Sequence, residues 1–356
     1  MRAGCVAFRR WLAVVVLGVA LFGLPAVRGQ SRDQLPAALT DAEFWSLTGR
    51  ISETDGFFRS NSGSTDNLLS NEDTISTVAA ALSTRVKPGG VYLGVGPEQN
   101  FTYIAAMRPR IAFITDIRRG NLHLHLLYKA LFELSANRAD FIARLFTRAR
   151  PSGLTPESSA AAIMNASRRA ARGDAAAFAA NLKTVVDHLK VTRHLPLDAD
   201  DLAGIEYVYG SFYRYGPDIT YTSTSTNRSG FRDYASIVTS RDDASGAERT
   251  FLANETLFGV VKAIESRNLV VPIVGDFAGP KALRAVGTYL REHGVTVTAF
   301  YVSNVEMYLE RNGVWPKFCA NAATLPVDAD SVFIRPGRFG GVFSPITSET
   351  APCRNR

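Results

Sequence analysis

Cysteine is scarce in this sequence, with 3 residues among 356. A chain of this length with so few cysteines is not a small scaffold held together by disulfides. Several catalytic signatures are also missing, because no Gly-x-Ser-x-Gly elbow, His-Glu-x-x-His pair or Gly-Lys-Ser/Thr phosphate loop occurs. The sequence therefore gives no support for the serine hydrolases, zinc peptidases or nucleotide hydrolases that use these motifs.

Acidic residues are absent from residues 1–29, which contain Arg2, Arg9, Arg10 and Arg28. These four belong to the 40 basic residues that, against 33 acidic ones, give the chain a formal charge of +7. The other basic residues are interspersed with acids, whereas a nucleic-acid-binding surface needs clustered Lys and Arg. We therefore predict no nucleic-acid partner.

The same N-terminal segment predicts an export signal. Arg9 and Arg10 precede an uninterrupted apolar run at residues 12–24, which Pro25 ends. A membrane-spanning helix needs about 20 apolar residues. We therefore interpret residues 1–29 as a cleaved signal peptide, with a retained N-terminal anchor as the alternative. No later run approaches a spanning length, so the expected location is periplasmic or extracellular, with membrane contact only through an uncleaved leader.

Export permits disulfides, and only Cys319 and Cys353 remain once the leader is removed. The two either form one bridge or remain a buried and a free thiol, because spacing alone does not show that they approach each other. Two cysteines so far apart do not make a metal site. His123 and His125, two residues apart on a predicted helix, point in different directions. No metal is predicted.

Hydrophobic periodicity predicts an α/β fold. Short apolar strands at residues 91–95 and 111–115 flank a helix at 99–107, which is the pattern of a βαβ unit with a parallel pair. The pattern returns after residue 250, with strands at 269–275, 295–302 and 332–335 and helices at 251–266, 279–293 and 304–311. We predict a Rossmann-like, mostly parallel sheet flanked by helices.

A helical insertion is predicted between the second and third strands, at about residues 120–250. It contains one long helical stretch at 122–145 that begins near Asn121, and two helices within 158–190. Residues 195–250, which include a cluster of tyrosines, are interpreted as irregular loops. The predicted organisation is a leader at 1–29, a single α/β domain at 30–335 and a C-terminal tail at 336–356.

Two glycines follow the first predicted strand, in the run Gly94-Val95-Gly96-Pro97-Glu98-Gln99. A Gly-x-Gly turn between a strand and a helix lets the backbone approach a ligand, and Asp116, 22 residues after Gly94, is placed to bind ribose hydroxyls. The third glycine of a dinucleotide fingerprint is missing, and Glu98 opposes a pyrophosphate. A nucleoside cofactor with a positive centre and no phosphate fits better. The alternative is a tightly packed turn, with Asp116 capping the next helix.

Three further residues are candidates for the same site. Asp276 ends the predicted third strand, and the carboxyl ends of parallel strands share one edge of a sheet, so Asp116 and Asp276 are expected there together. Asp276 is alternatively the N-cap of the following helix. Upstream, Asn71 and Glu72 lie in a polar segment that reaches the ligand, or else Ser70 or Asn71 caps a helix predicted at 72–86.

These residues resemble the conserved segments of class I S-adenosylmethionine-dependent methyltransferases. The likeness rests on residues 91–100 with Asp116, and on residues 271–279. A closer resemblance, from about residue 67 to 334, is to an uncharacterised group of exported or membrane-anchored bacterial proteins with the same core. Tyr92-Leu93 replaces the acid that usually precedes the first glycine, and S-adenosylmethionine is a cytoplasmic metabolite.

The resemblance implies an S-adenosylmethionine site in which Gly94 and Gly96 flank the cofactor. From their positions in the sequence, Glu98 and Asn71 are also predicted to contact it. It implies that Asp116 holds the ribose and that Asp276 lies near the substrate. Methyl transfer is the first functional hypothesis, with Asp276 or Glu72 orienting or deprotonating the acceptor. The alternatives are a non-catalytic exported protein that binds a small molecule, and an interaction protein.

Overall fold

The computed structural model describes residues 1, 34–57, 66–222, 232–335 and 343–354. Contacts between Cα atoms group Asp33–Arg356 into one compact unit. Within the described residues, six strands form one sheet in the order β3-β2-β1-β4-β5-β6, and only β6 is antiparallel to its neighbour. The strands are β1 (Val91–Val95), β2 (Ile111–Asp116), β3 (Val270–Val274), β4 (Val297–Tyr301), β5 (Val332–Ile334) and β6 (Phe343–Pro345).

Helices flank this sheet, so the prediction of an α/β fold with a mostly parallel sheet is confirmed. The helices before β3 are α1 (Asp41–Ile51), α2 (Ile75–Arg85), α3 (Gln99–Met107), α4 (Arg119–Leu134), α5 (Arg138–Leu145), α6 (Ala160–Arg169), α7 (Ala175–Asp187), α8 (Ala199–Tyr215), α9 (Tyr234–Val238) and α10 (Glu255–Ser266). Those after it are α11 (Ala282–Glu292), α12 (Val305–Arg311), α13 (Trp315–Ala322) and α14 (Ile346–Thr350).

The first three strands are buried along their whole length. Parallel strands covered on both faces have continuous apolar sequences, which explains why the sequence located β1 and β2 so closely. The register pairs Val91 with Ile111 and Val95 with Thr115, so β1 and β2 end side by side. The groups that follow these two strands are therefore close together at one edge of the sheet.

The prediction of one long helix at residues 122–145 is wrong, because two helices lie there. The chain forms α4, which begins at Arg119, two residues before the predicted start at Asn121, and then α5. The Asn137 side chain accepts a hydrogen bond from the backbone N–H of Asp140, which caps α5 and starts a new helix. The apolar periodicity continues through this break because both helices pack against the core, so periodicity alone did not show it.

The prediction of irregular loops at residues 195–250 is also wrong, at the short helix α9 and above all at the long helix α8. This helix begins after Asp198, whose side chain accepts a hydrogen bond from the N–H of Asp201. Its buried face includes Ile205, Val208 and Phe212, at helical spacing. Tyrosines and glycines lower the mean hydropathy of this segment, so the sequence did not show its helical periodicity. The two helices predicted within residues 158–190 are confirmed as α6 and α7.

The C-terminal part contains three elements that the sequence did not predict, the helices α13 and α14 and the antiparallel edge strand β6. β6 lies within the predicted tail at 336–356, so β5 is not the last strand. Cys319 of α13 forms a disulfide with Cys353, with their Cα atoms 5.8 Å apart. Of the two alternatives for these cysteines, the structure contains the bridge.

The predicted leader lies outside the described residues, apart from Met1. Among the helices that the structure describes, none combines the length and apolar character needed to cross a membrane.

Candidate functional site

The turn after β1 is fixed by side chains from the helices that follow it. Gly96 has φ +76°, a conformation that glycine adopts without strain. The Asn100 side-chain amide donates to the carbonyls of Val95, Gly96 and Pro97, at 3.1, 3.1 and 2.7 Å. His125 Nε2 lies 2.9 Å from the Gly96 carbonyl, and burial lowers the pKa of this histidine to about 4, so the neutral ring donates. The turn is therefore held in one conformation.

The two predicted glycines have different roles. A Cβ on Gly94 would lie 2.0 Å from Asn100 Oδ1 and 2.9 Å from the Tyr92 ring. Gly94 thus makes room for the hydrogen bond that the Tyr92 hydroxyl donates to Asn100 Oδ1, at 2.7 Å. It does not line the cleft described next, whereas Gly96 does.

A cleft of about 320 Å³ lies at the carboxyl ends of the parallel strands. Its walls come from the segments that follow β1, β2, β3 and β4, and from the segment before α2. β1 lies between β2 and β4, so the cleft includes the point where the strand connections diverge, where open α/β sheets bind ligands. Its polar lining comprises Asn67, Ser70, Asn71, Thr115, Asp116, Arg118, Tyr221, Asp276, Tyr301, Ser303, Asn304, Tyr308 and Asn312.

Asp116 is 4% exposed and lies in the wall of the cleft. Its Oδ1 accepts hydrogen bonds from the backbone N–H and Nε–H of Arg118, at 3.0 and 3.1 Å. Burial lowers the pKa of Arg118, but the charges and hydrogen bonds of Asp116 and Tyr221 together outweigh burial and raise it. Arg118 is the N-cap residue of α4, so Asp116 does not itself cap that helix. The pair places an oriented carboxylate beside a fixed guanidinium.

Asp276 reaches the same cleft from the end of β3. Its Oδ1 accepts from the N–H of Ala278 at 2.9 Å, but α11 begins only at Ala282, so Asp276 is not the N-cap. Glu53 takes that role, because its Oε1 accepts from the N–H groups of Lys281 and Ala282, both at 2.8 Å. The alternative interpretation of Asp276 as a helix cap is therefore wrong.

Glu72 lies behind the cleft on the β4 side. Its Oε1 accepts hydrogen bonds from the Tyr301 hydroxyl at 2.8 Å and from Ser303 Oγ at 2.7 Å, and both of these residues line the cleft. Burial raises the pKa of Glu72, and the two hydroxyls oppose this rise. The Glu72 carboxylate is therefore connected to the cleft through these two hydroxyls.

Of the other predicted site residues, some line the cleft and some lie behind it. Asn71 is exposed and lines the cleft. Neither Ser70 nor Asn71 caps α2, which begins at Ile75, and Ser70 Oγ instead accepts from the N–H of Glu72. Glu98 is 1% exposed and does not line the cleft. Burial raises its pKa to about 7, although the Ser70 N–H donates to both of its oxygens.

The structure thus brings Gly96, Asp116, Asp276 and Asn71 to one cleft and keeps Gly94, Glu98 and Glu72 behind it. Sequence reasoning missed Asn100, His125 and Glu53, which position the turns. Asn100 carried a signal, since an amide side chain in the first turn of a helix that follows a Gly-rich turn can donate to the carbonyls of that turn. Within the described ranges, no group of three His, Cys, Asp or Glu side chains could hold a metal ion.

Comparison with protein families finds that residues 68–196 and 220–351 match a model described as a domain of unknown function, DUF7790. No curated protein matches the chain. The matched ranges include the strands β1 to β6 and the residues of the cleft from Leu69 to Val314.

Proposed function

We propose that this chain, which belongs to the DUF7790 family, binds a nucleoside-containing small molecule in the cleft, with S-adenosylmethionine as the first candidate. The proposal treats the sheet as Rossmann-like, with a helical insertion between β2 and β3. Its support is the strand order, in which β1 lies between β2 and β4 with the cleft at their carboxyl ends.

One observation carries the proposal: the Asp116 carboxylate and the Gly96 turn lie in the wall of one cleft, at the ends of neighbouring parallel strands. A ribose placed there donates hydrogen bonds from its two hydroxyls to the Asp116 carboxylate, whose orientation is fixed by Arg118. The glycine backbone leaves room for the ligand beside it.

The turn itself favours a ligand without a pyrophosphate. The N–H groups of Asn100 and Phe101, at the start of α3, are bonded to the carbonyls of Pro97 and Glu98. They are thus less available than in a helix start that binds phosphate. The buried carboxyl of Glu98, next to these groups, adds an unfavourable charge when it ionises.

Methyl transfer is the activity that we propose for S-adenosylmethionine in this cleft, because the reaction depends chiefly on proximity and orientation. Asp276 is positioned to orient or deprotonate an acceptor that approaches from the β3 side. On the β4 side, Glu72 acts through the hydroxyls of Tyr301 and Ser303. The two carboxyl groups are therefore candidates for different sides of the cleft.

A second candidate is non-catalytic binding of another nucleoside-like molecule outside the cytoplasm. The Cys319–Cys353 disulfide favours it, because such bonds persist mainly in oxidising compartments. It also supports the proposal that residues 1–29 direct export. Sequencing the N-terminus of the mature protein, together with cell fractionation, tests both cleavage and location.

Calorimetry separates the two candidates. We expect S-adenosylmethionine to release heat on binding to the wild-type protein and to Asp187→Asn, an exposed control on α7, but not to Asp116→Asn. Asn is nearly the same size as Asp, so the variant should fold, which circular dichroism checks. Binding of adenosine without S-adenosylmethionine would select the second candidate. No heat with either ligand would refute both.

A further inference from the structure

One side of the cleft is formed by the end of β4 and the segment that joins it to α12. Tyr301, Ser303 and Asn304 line the cleft there and make up its β4 wall. Tyr301 is buried, whereas Ser303 is partly exposed and Asn304 is exposed. Ser303 is therefore the hydroxyl residue of this wall that a ligand in the cleft reaches.

Ser303 has an uncommon backbone conformation. Its φ is +52°, in the left-handed region that residues with a side chain rarely adopt. Of the described non-glycine residues with positive φ, it is the one that lines the cleft. Backbone strain of this kind persists where the surrounding contacts hold it, and it is concentrated at functional sites. Here the hydrogen bond from Ser303 Oγ to Glu72 is such a contact.

Glu72 determines which hydrogen-bonding role Ser303 offers to the cleft. The Oε1 atom of Glu72 accepts from Ser303 Oγ at 2.7 Å and from the Tyr301 hydroxyl at 2.8 Å. A carboxylate only accepts, so the hydroxyl proton of Ser303 is engaged by Glu72. The Ser303 oxygen then presents only lone pairs to a ligand. A ligand group that meets Ser303 must therefore be a hydrogen-bond donor.

The charges around the cleft favour a donor that is positively charged. Asp116 and Asp276 line the cleft, and Glu72 lies behind it. Among the described residues of the lining, Arg118 is the only cation, and its charge is met by Asp116. Tyr308 adds an aromatic ring to the lining, and such rings attract cations. An ammonium group meets these conditions, whereas a carboxylate or a phosphate does not.

We propose that the β4 wall binds the ammonium group of a primary amine, with Ser303 Oγ accepting a hydrogen bond from one of its N–H groups. Glu72 is a positioning residue, because it acts through Ser303 by keeping that hydroxyl in the acceptor role. The inference deepens the proposed function and rests on it for the role of the amine, which is then the substrate class of the cleft. The binding itself is measured without S-adenosylmethionine, so the two proposals fail separately.

Three probes that share one ring and differ in the polar group test the site on the full chain. At neutral pH benzylamine is a cation, benzyl alcohol is neutral and benzoate is an anion. Calorimetric titration should give the lowest dissociation constant for benzylamine and the highest for benzoate. No binding of benzylamine at millimolar concentrations, or binding of benzoate that is as tight, would overturn the proposal.

Ser303→Ala tests the residue that meets the ammonium group. Its affinity for benzylamine should be about tenfold weaker, as expected for the loss of a hydrogen bond to a charged group. Ser83→Ala, which changes an exposed serine of α2, is the matched control and should bind benzylamine as the wild type does. Unchanged binding in Ser303→Ala would overturn the proposal.

Glu72→Gln tests the positioning role with the size of the side chain kept. The new amide can donate to Ser303 Oγ, which leaves the Ser303 proton available to the cleft. The preference for benzylamine over benzyl alcohol should therefore fall several-fold, whereas a merely structural defect would weaken both probes equally. An unchanged preference in a variant that circular dichroism shows to be folded would overturn the role of Glu72.

S-adenosylmethionine also carries an ammonium group, so its position is tested separately. A dissociation constant of benzylamine that is unchanged at saturating S-adenosylmethionine assigns the β4 wall to a second molecule, the substrate. A constant that rises in proportion to the S-adenosylmethionine concentration would place the cofactor there and overturn the proposal. Binding of benzylamine without any binding of S-adenosylmethionine would refute the proposed cofactor and leave the ammonium site standing.

Discussion

Both carboxylate oxygens of Glu98 lie 3.1 Å from the backbone nitrogen of Ser70. Ser70 lines the cleft and Glu98 lies behind it, so this contact joins the segment before α2 to the turn after β1. Glu98 is thus a support for the site rather than part of its lining. Because the carboxyl is fully buried, its ionisation changes the stability of the fold.

Glu98→Gln should remove a pH-dependent loss of stability. Burial raises the pKa of Glu98 from 4.5 to about 7 in the folded protein, so the folded state holds this proton more tightly than the unfolded state. The stabilisation that protonated Glu98 gives the wild-type protein is full below about pH 4.5 and is lost as the pH rises through 7. Urea unfolding should give equal stabilities for the wild type and Glu98→Gln at pH 4. At pH 8 the variant should be more stable than the wild type by up to about 3 kcal/mol.

Glu265 makes the comparison with wild type necessary. Burial raises the pKa of Glu265 as well, so the wild-type protein loses stability from two carboxyl groups as the pH rises. Only the difference between the wild type and Glu98→Gln reports on Glu98. A difference that does not change between pH 4 and pH 8 would contradict the assignment.

Glu53→Ala should destabilise the turn that carries Asp276. The Glu53 carboxylate accepts a hydrogen bond from the N–H of Asp276, after β3. It also accepts from the N–H groups of Lys281 and Ala282, at the start of α11. Loss of such a cap costs about 1–2 kcal/mol. Glu53→Gln is the matched control, because its amide oxygen still accepts, and it should lose less. Urea midpoints measure both, and equal losses would argue against capping by the carboxylate oxygens.

Local signals in the sequence were enough to predict the first βαβ unit. β1 and α3 have the predicted bounds, and β2 extends the predicted strand only by Asp116. Apolar strands and short turns are encoded by neighbouring residues, and parallel pairing places Asp116 near Gly96 without further information. This is why part of the cleft could be located from the sequence alone.

Contacts between distant parts of the chain could not be predicted in this way. Glu53 reaches the start of α11 from a position more than 200 residues earlier in the chain, and Asp201 reaches His123 from α8. Neither acid belongs to a motif with the group that it binds. The same limit explains Glu98, whose position after Gly96 suggested contact with a cofactor, although the side chain turns inward to Ser70.

Removing the disulfide should lower the stability substantially. Cys319 and Cys353 are separated by 34 positions, and opening a loop of that size costs about 4 kcal/mol in the chain-entropy description. The double variant Cys319→Ser, Cys353→Ser should therefore unfold at lower urea than the oxidised wild type. Wild type treated with a reductant provides the control and should match the variant. An unchanged midpoint after complete reduction, verified by alkylation and mass, would contradict this prediction.

The strongest test of the packing between α4 and α8 compares two glycines of one helix. Gly204→Ala places a Cβ 2.0 Å from His123 Nδ1, so the ring must move and its bond to Asp201 is disturbed. Overpacking of this kind costs about 1–3 kcal/mol. In Gly210→Ala the nearest atom is the Phe178 ring at 3.9 Å, an ordinary contact. Since alanine is favoured over glycine in a helix by about 1 kcal/mol, this variant should gain stability. Urea unfolding with an unchanged m-value should therefore give shifts of opposite sign, and a gain in both variants would mean that His123 does not occupy this space.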